Sequence, residues 1–203
     1  NEFEDAIKVY DTIVSKDPAY VDVYKQLALT YADYARFKDD KSLLQPGVEN
    51  YFKYHGMLGE SMDLDNELAA YLIKNKDYKA LGDLVRTKWY TRGDNFFMYR
   101  YRAIADFQNG KFLDAKENIN MYFDVQDKKD QILPIDYLYK GLSELEASRK
   151  EDGTFNETVY KKSIDEMAKA VKENPKLGVA LHELGMDLFK DEHFEQAYFV
   201  FDL

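Results

Sequence analysis

Aromatic residues recur at a fixed interval along this chain, and that interval limits what it can fold into. Tyr78 and Phe112 are 34 residues apart, as are Tyr160 and Phe194, and as are Phe3 and Phe37. Three residues after the aromatic stands a short side chain: Ala6, Ala115, Ser163 and Ala197, with Leu81 departing. Nine residues before it stands another: Ala28 before Phe37, Ala69 before Tyr78, Ala103 before Phe112 and Gly185 before Phe194. A constant period of this length marks an array of small units that bury one another's faces.

Each unit reads as two helices. Apolar residues step by three and four, and no stretch alternates strictly as a half-buried strand would. The last unit shows this plainly. Leu181, Leu184, Gly185, Leu188 and Phe189 form one stripe, a polar turn follows at Asp191-Glu192, and Phe194, Ala197, Tyr198 and Phe201 form the next. Gly185 and Ala197 remove bulk where the two helices cross. With only 4 prolines and 10 glycines, breaks are few, and the pattern predicts eleven helices: 2–17, 20–36, 43–56, 62–75, 77–91, 94–109, 111–125, 131–149, 156–173, 177–190 and 193–203. Asp17-Pro18 and Asn174-Pro175 stop helices, because proline lacks the amide donor and restricts its predecessor. Asn109-Gly110 supplies a left-handed cap, and Asp152-Gly153 a turn.

The spacing also shows interruptions. Tyr160 lies 48 residues from Phe112, and most of the excess falls around Arg149 to Thr158, where a longer first helix and a projecting loop are expected. Tyr78 lies 41 from Phe37, which places another insertion near Asp39 to Gln45. Gly47 and Gly56 mark expected irregularities in the segment from Phe37 to Ser61, the poorest match to the repeat.

The chain resembles the tetratricopeptide repeat family. The family's first-helix pattern fits Tyr24, Leu27-Ala28 and Tyr31, and again Leu181, Leu184-Gly185 and Leu188. Its second-helix pattern fits Ala6, Tyr10 and Pro18, and more loosely Ser163, Met167, Ala170 and Pro175. Arg102 and Lys140 stand where the pattern usually has Leu, beside Ala103 and Gly141, which keep the small slot. The resemblance implies an all-α solenoid of antiparallel helix pairs, a right-handed superhelix that forms a single array over 1–203. A partial repeat occupies 1–17, repeats lie near 20–56, 62–91, 94–125 and 131–173, and the last, 177–203, is cut short. The frame opens in a repeat lacking its first helix and closes inside a second helix. The expectation is therefore an excerpt of a longer array, whose uncapped ends, with Tyr198 and Phe201, would support self-association.

The resemblance further implies that first helices line a concave groove for an extended peptide or partner helix. Carried over, it nominates Lys25 and Leu29 in the first full repeat, with Asp22, Ala32 and Asp33 around them. Asn66 and Ile73 follow, with Ala70 and Lys74, then Arg100, Ile104 and Phe107, with Gln108. Leu138, Leu142 and Leu145 follow with Glu146, and finally His182, Met186 and Phe189 with Lys190. Any of these could instead pack against the adjacent repeat. Family members that clamp a chaperone's C-terminal carboxylate use a Lys and Asn set. Here Lys25 fills one slot but Leu29 replaces the Asn, and Asn66 is followed by Glu67 and Ala70, so the clamp is incomplete. The groove turns apolar toward the C-terminal half, which favours an amphipathic helix or an extended apolar segment.

Other chemistries find little support. His182-Glu183 opens like a zinc-protease helix, but the second His would have to stand at Met186. His193 and His55 lie elsewhere and read as solvated or partly packed side chains. Acid pairs such as Glu144 with Glu146, or Glu195 with Asp202, read as solvated helix faces rather than a tuned acid–base couple. There is no phosphate-binding glycine loop and no nucleophile elbow, so no enzyme, cofactor or metal is expected. With 38 acidic against 28 basic residues the formal charge is -10, which argues against nucleic acid and against a polybasic membrane-surface role. No apolar run reaches the ~20 residues of a membrane span.

Cysteine is absent, which removes thiol chemistry and leans weakly toward an extracytoplasmic compartment. Asn156-Glu157-Thr158 fits a glycosylation acceptor. The 17 tyrosines and 13 phenylalanines have two readings. One is packing between repeats. The other is an aromatic-lined site, densest at Phe96, Phe97, Tyr99, Tyr101 and Phe107 after Trp89 and Tyr90, which would suit a cell-envelope or glycan-associated accessory protein.

Overall fold

The computed structural model describes residues 2–59, 61–86, 96–125, 131–190 and 192–203, with only the backbone at 134, 173 and 180. Trp89, Tyr90 and Asp191, and the helix ends expected at 87–91 and 94–95, lie outside the described residues. Within them the chain is all-helical, with eleven α-helices and no strand. None of these helices is long and apolar enough to cross a membrane. The chain divides into two compact units, Asn1–Leu81 and Gly82–Leu203.

The first unit holds α1 (Glu2–Lys16), α2 (Val21–Lys38), a short 3-10 turn (Lys41–Leu43), α3 (Leu44–Leu58) and α4 (Met62–Lys74), and it runs into α5 (Tyr78–Leu84). α1 ends just before Asp17-Pro18, as the proline requires. Asp40 caps the 3-10 turn by accepting from the Ser42 N–H at 2.9 Å, and Ser61 caps α4 by accepting from Leu64. α1 and α2 bury Ile7, Leu27 and Tyr34, with Phe3, Tyr10, Val14 and Tyr31 packed around them.

α2 is longer than the repeat frame expects. Its left-handed terminal residue, Asp39, lies eleven residues after the buried Ala28, whereas Lys76 follows Ala69 by seven. The difference is close to one helical turn. Phe37 consequently sits in the last turn of α2, exposed, with its ring 5.5 Å from Phe3. Its 34-residue spacing from Phe3 does not place it at the start of a second helix; α3 is that helix. Gly47 and Gly56 are not irregularities either, since α3 runs through both. A Cβ on Gly47 would stand 2.7 Å from the Tyr71 hydroxyl and 3.1 Å from the Ala28 carbonyl oxygen, so this glycine lets α2, α3 and α4 close together.

The second unit contains α6 (Phe97–Gln108), α7 (Phe112–Asp124), α8 (Pro134–Ala147), α9 (Glu157–Glu173), α10 (Leu177–Lys190) and α11 (Phe194–Phe201). Each helix packs on the next, and α6 also touches α8, as α8 touches α10. Ala103, Ala115, Ser163 and Ala197 are fully buried at the crossings, where their short side chains admit a neighbour. Gly141 serves the same end, because a Cβ there would come within 2.5 Å of the Met167 sulfur.

Turns repeat as closely as helices do. The N–H of Asp77 donates to the Leu72 carbonyl at 2.9 Å, Lys111 to Asp106 at 2.7 Å and His193 to Leu188 at 2.8 Å. In each turn the preceding residue is left-handed: Lys76 (φ 57°), Gly110 (φ 74°) and Glu192 (φ 64°). These are Schellman-type ends, which satisfy the last helical carbonyls. Each left-handed residue stands seven after its small residue, at Ala69, Ala103 and Gly185.

The later insertion differs from expectation. α8 ends at Ala147 and is not lengthened; the extra residues form a loop over 148–156. The loop does not project freely. Arg149 donates to both oxygens of Glu146 at 2.9 Å, to Glu195 at 2.7 Å and to the Gly153 carbonyl at 3.0 Å, and its guanidinium lies 4.1 Å from the Phe155 ring centre. It ties the loop to α8 and α11.

Candidate functional site

The residues nominated for a groove fall into three groups. Arg100, Ile104 and Phe107 on α6, and Leu138, Leu142 and Leu145 on α8, are all buried. They line no open surface, because the helix two places along closes over them. Arg100 donates through Nε to Asp136 Oδ1 at 2.8 Å, and through Nη2 to Asp136 Oδ2 at 2.5 Å and to the Gln131 carbonyl at 2.7 Å. Its guanidinium carbon lies 4.7 Å from the Tyr122 ring centre. The Phe107 ring meets Tyr139 edge-on at 5.6 Å, and Gln108 donates to the Tyr139 hydroxyl at 3.1 Å. Asp136 also accepts from the Leu133 N–H at 2.6 Å and so caps α8. Burial raises the Asp136 carboxyl above the usual range, against the lowering pull of Arg100.

The second group lies in the first unit, between α2 and α4. Lys25 ion-pairs with Glu67, and the hydrogen bond to that carboxylate raises Lys25 above the ordinary lysine range. Its ammonium also stands 5.2 Å from the Tyr54 ring centre. Leu29 is exposed, while Asn66 and Ile73 are half-buried. Tyr71 of α4 reaches back to donate to the Ala28 carbonyl at 2.9 Å. This surface is mixed in charge, and Lys25 on it is already engaged.

The third group is His182, Met186 and Phe189 on α10. These occupy the same places relative to Gly185 as Arg100, Ile104 and Phe107 do relative to Ala103, yet all three are exposed, Met186 at 39% and Phe189 at 54%. The geometry around them repeats that of α6. Phe107 meets Phe112 at 5.4 Å and 60°, and Phe189 meets Phe194 at 5.3 Å and 69°. On α11, Phe194, Tyr198 and Phe201 are exposed while Ala197, Phe199 and Val200 are buried. The His182 ring lies 5.9 Å from Phe201, whose own ring sits against Gly185. The Phe189–Phe194 and His182–Phe201 ring contacts thus link the exposed apolar residues of α10 to those of α11. The outer margin of these residues opens on a shallow cleft of about 390 Å³ lined by Phe155, Tyr160, Phe194 and Tyr198.

The aromatic cluster Phe96, Phe97, Tyr99, Tyr101 and Phe107 has no exposed member. Phe96 and Phe97 lie 4.1 Å apart, and both pack against Tyr122.

Residue patterns alone missed several partners. Asp136, Glu67 and Tyr139 were not singled out, although Arg100 and Lys25, basic groups at groove positions, called for acids nearby. His55 is neither solvated nor partly packed. It is buried on α3 with Nε2 2.9 Å from Asp65 Oδ1, and its Nδ1 has no hydrogen-bond partner among the described residues. Nothing in the spacing of His55 and Asp65 distinguishes that pair.

No protein-family model matches the chain, and neither does any curated protein.

Proposed function

We propose that this chain is a non-catalytic helical-repeat scaffold, arranged as antiparallel pairs like those of tetratricopeptide repeats, which binds a partner helix on the apolar face of α10 and α11. One observation carries the reading. Among the described residues, no helix covers on α10 the positions that α6 and α8 bury, and there α10 carries Met186 and Phe189 where α6 carries Ile104 and Phe107. Large side chains held half in water gain roughly 1 kcal/mol each when covered, and the tyrosine and phenylalanines of α11 extend the patch. The mixed surface between α2 and α4 offers less, because Lys25 is already paired.

The repeating turns at Lys76, Gly110 and Glu192, and the alternate contacts of α6 with α8 and α8 with α10, support the array. An aromatic-lined sugar site gains no support, since the densest aromatic cluster is packed on itself.

The test is direct. A designed leucine-striped amphipathic helix, labelled for fluorescence anisotropy, should bind the chain and lose at least tenfold affinity to the M186E/F189E variant. Equal binding to both proteins would refute the reading. Circular dichroism on the variant establishes that its helices are intact.

A further inference from the structure

A buried leucine precedes the small crossing residue in three first helices: Leu27 before Ala28, Leu68 before Ala69 and Leu184 before Gly185. α6 and α8 place a cation there instead, Arg102 before Ala103 and Lys140 before Gly141. On α6 the charge is answered, because Arg102 Nε stands 3.6 Å from Asp106 Oδ2, one turn along the same helix. On α8 it is not. Glu144 holds the matching place one turn along, yet Lys140 makes no ion pair with it or with another acid among the described residues.

Lys140 is half-buried, and it lines a cavity of about 420 Å³ with α8 as the floor and α7 and α9 as the walls. Its ammonium stands 4.8 Å from the ring centre of Phe123, which in turn meets Tyr137 edge-on at 5.1 Å. Ile132 and Met167 complete the apolar lining. A second opening of about 380 Å³ continues the first toward Leu177 and shares Ile132, Tyr137, Glu166 and Lys169 with it. Lys169 also makes no ion pair among the described residues, whereas Glu166 lies 3.6 Å from Lys162. The hollow is therefore apolar in body and cationic at its edge.

We propose that this cavity binds a small organic carboxylate with an apolar body. Concave apolar walls with a few placed polar groups are the general form of a small-molecule site. A half-buried ammonium has lost part of its water, and an aromatic face returns less of that loss than a carboxylate does. Lys140 and Lys169 meet the carboxylate, and the apolar body lies against Phe123, Ile132 and Met167. The site shares no residue with the exposed face of α10 and α11, so it stands or falls independently of the scaffold reading.

Methionine-methyl NMR on the intact chain supplies the readout, because Met167 is buried with its sulfur and methyl carbon against Gly141. The M167L variant identifies its signal among the 6 methionines. Titrated with 4-phenylbutyrate, the Met167 methyl should shift saturably. The uncharged 4-phenylbutan-1-ol should bind roughly fivefold more weakly, the effect of one partly exposed charge pair. K140Q, which keeps most of the side chain and removes its charge, should weaken phenylbutyrate by about the same factor and leave the alcohol unchanged. K140L should abolish the preference for the acid and raise the thermal midpoint, since leucine fills this place in three other helices. An unchanged methyl spectrum in each variant without ligand shows that the fold is kept. The proposal is overturned if phenylbutyrate leaves the Met167 methyl unmoved, or if the alcohol binds as tightly as the acid. K140Q binding phenylbutyrate like the unaltered chain would overturn it too, as would equal shifts at all the methionines, which would mark nonspecific adsorption.

Discussion

Arg100 and Asp136 meet through two parallel hydrogen bonds, 2.8 Å and 2.5 Å long, where α6 crosses α8, and the Asp136 side chain is wholly out of water. A charge pair so placed is stable only while both partners are present. Replacing Arg100 with Ala should destabilise the chain by roughly 3–5 kcal/mol, because a buried carboxylate is left uncompensated. Replacing both, as R100M/D136L, should cost much less than the single change. Urea midpoints of the two variants check the order; a double variant weaker than R100A would contradict it.

Two glycines of α3 should respond to the same substitution with opposite signs. Gly56 has open space around it, so Gly56→Ala should stabilise by about 0.5–1 kcal/mol through helix propensity. Gly47→Ala drives a methyl against Tyr71 and the Ala28 carbonyl and should destabilise by about 1–3 kcal/mol despite the same propensity gain. Thermal melts on the pair are enough, and like signs would argue against the close packing of α2, α3 and α4.

Stability should fall on the alkaline side. Burial pushes the Tyr122 hydroxyl up to about 12, and it donates to the Gln131 carbonyl at 3.0 Å. Burial raises Tyr51, Tyr71 and Tyr101 as well. A folded-state pKa above the unfolded value of about 10 means that the unfolded chain loses its proton first. The contribution of Tyr122 is therefore complete below pH ~10 and disappears as pH rises toward about 12. Denaturant midpoints followed with tyrosinate absorbance should show this loss, and Tyr122→Phe should flatten it. A midpoint constant from pH 9 to 12 would exclude the linkage.

The equivalence between α8 and α10 predicts unequal costs for truncation at matching places. Leu142, fully buried after Gly141, should cost about 2–5 kcal/mol as Leu142→Ala. Met186, after Gly185 and 39% exposed, should stay within about 0.5 kcal/mol as Met186→Ala. Chemical denaturation of both variants measures the contrast, and a large loss at Met186 would show that its face is already covered in solution.

Much of the architecture was legible before any coordinates. Apolar steps of three and four placed the helices, Asp17-Pro18 and Asn174-Pro175 stopped two of them where expected, and Asn109-Gly110 gave the left-handed cap. Phe37 fell on the 34-residue period yet lies in the last turn of α2, and nothing local in the sequence signals that α2 runs on to Lys38. The groove was harder to read. Position in a repeat says which side chains face the next first helix, but not how tightly that helix closes. Ile104, Phe107, Leu138, Leu142 and Leu145 were themselves the clue, since five large apolar side chains seldom line open water. His182, Met186 and Phe189 have similar chemistry and a different fate, which only the absence of a covering helix among the described residues separates.

In the second unit, the substantial helix contacts join helices one or two places apart in sequence. Short loops are closed early and cheaply in entropy, so contacts of this kind favour rapid assembly from almost any starting helix. They also allow disassembly in pieces. Among the described residues α11 packs chiefly on α10, with lighter ties to α8 and α9, and it should exchange its amide hydrogens before α8, which is clasped by α6, α7, α9 and α10. A helix seated on α10 and α11 would slow that exchange from the end inward, so occupancy at one edge would be felt as rigidity several helices away.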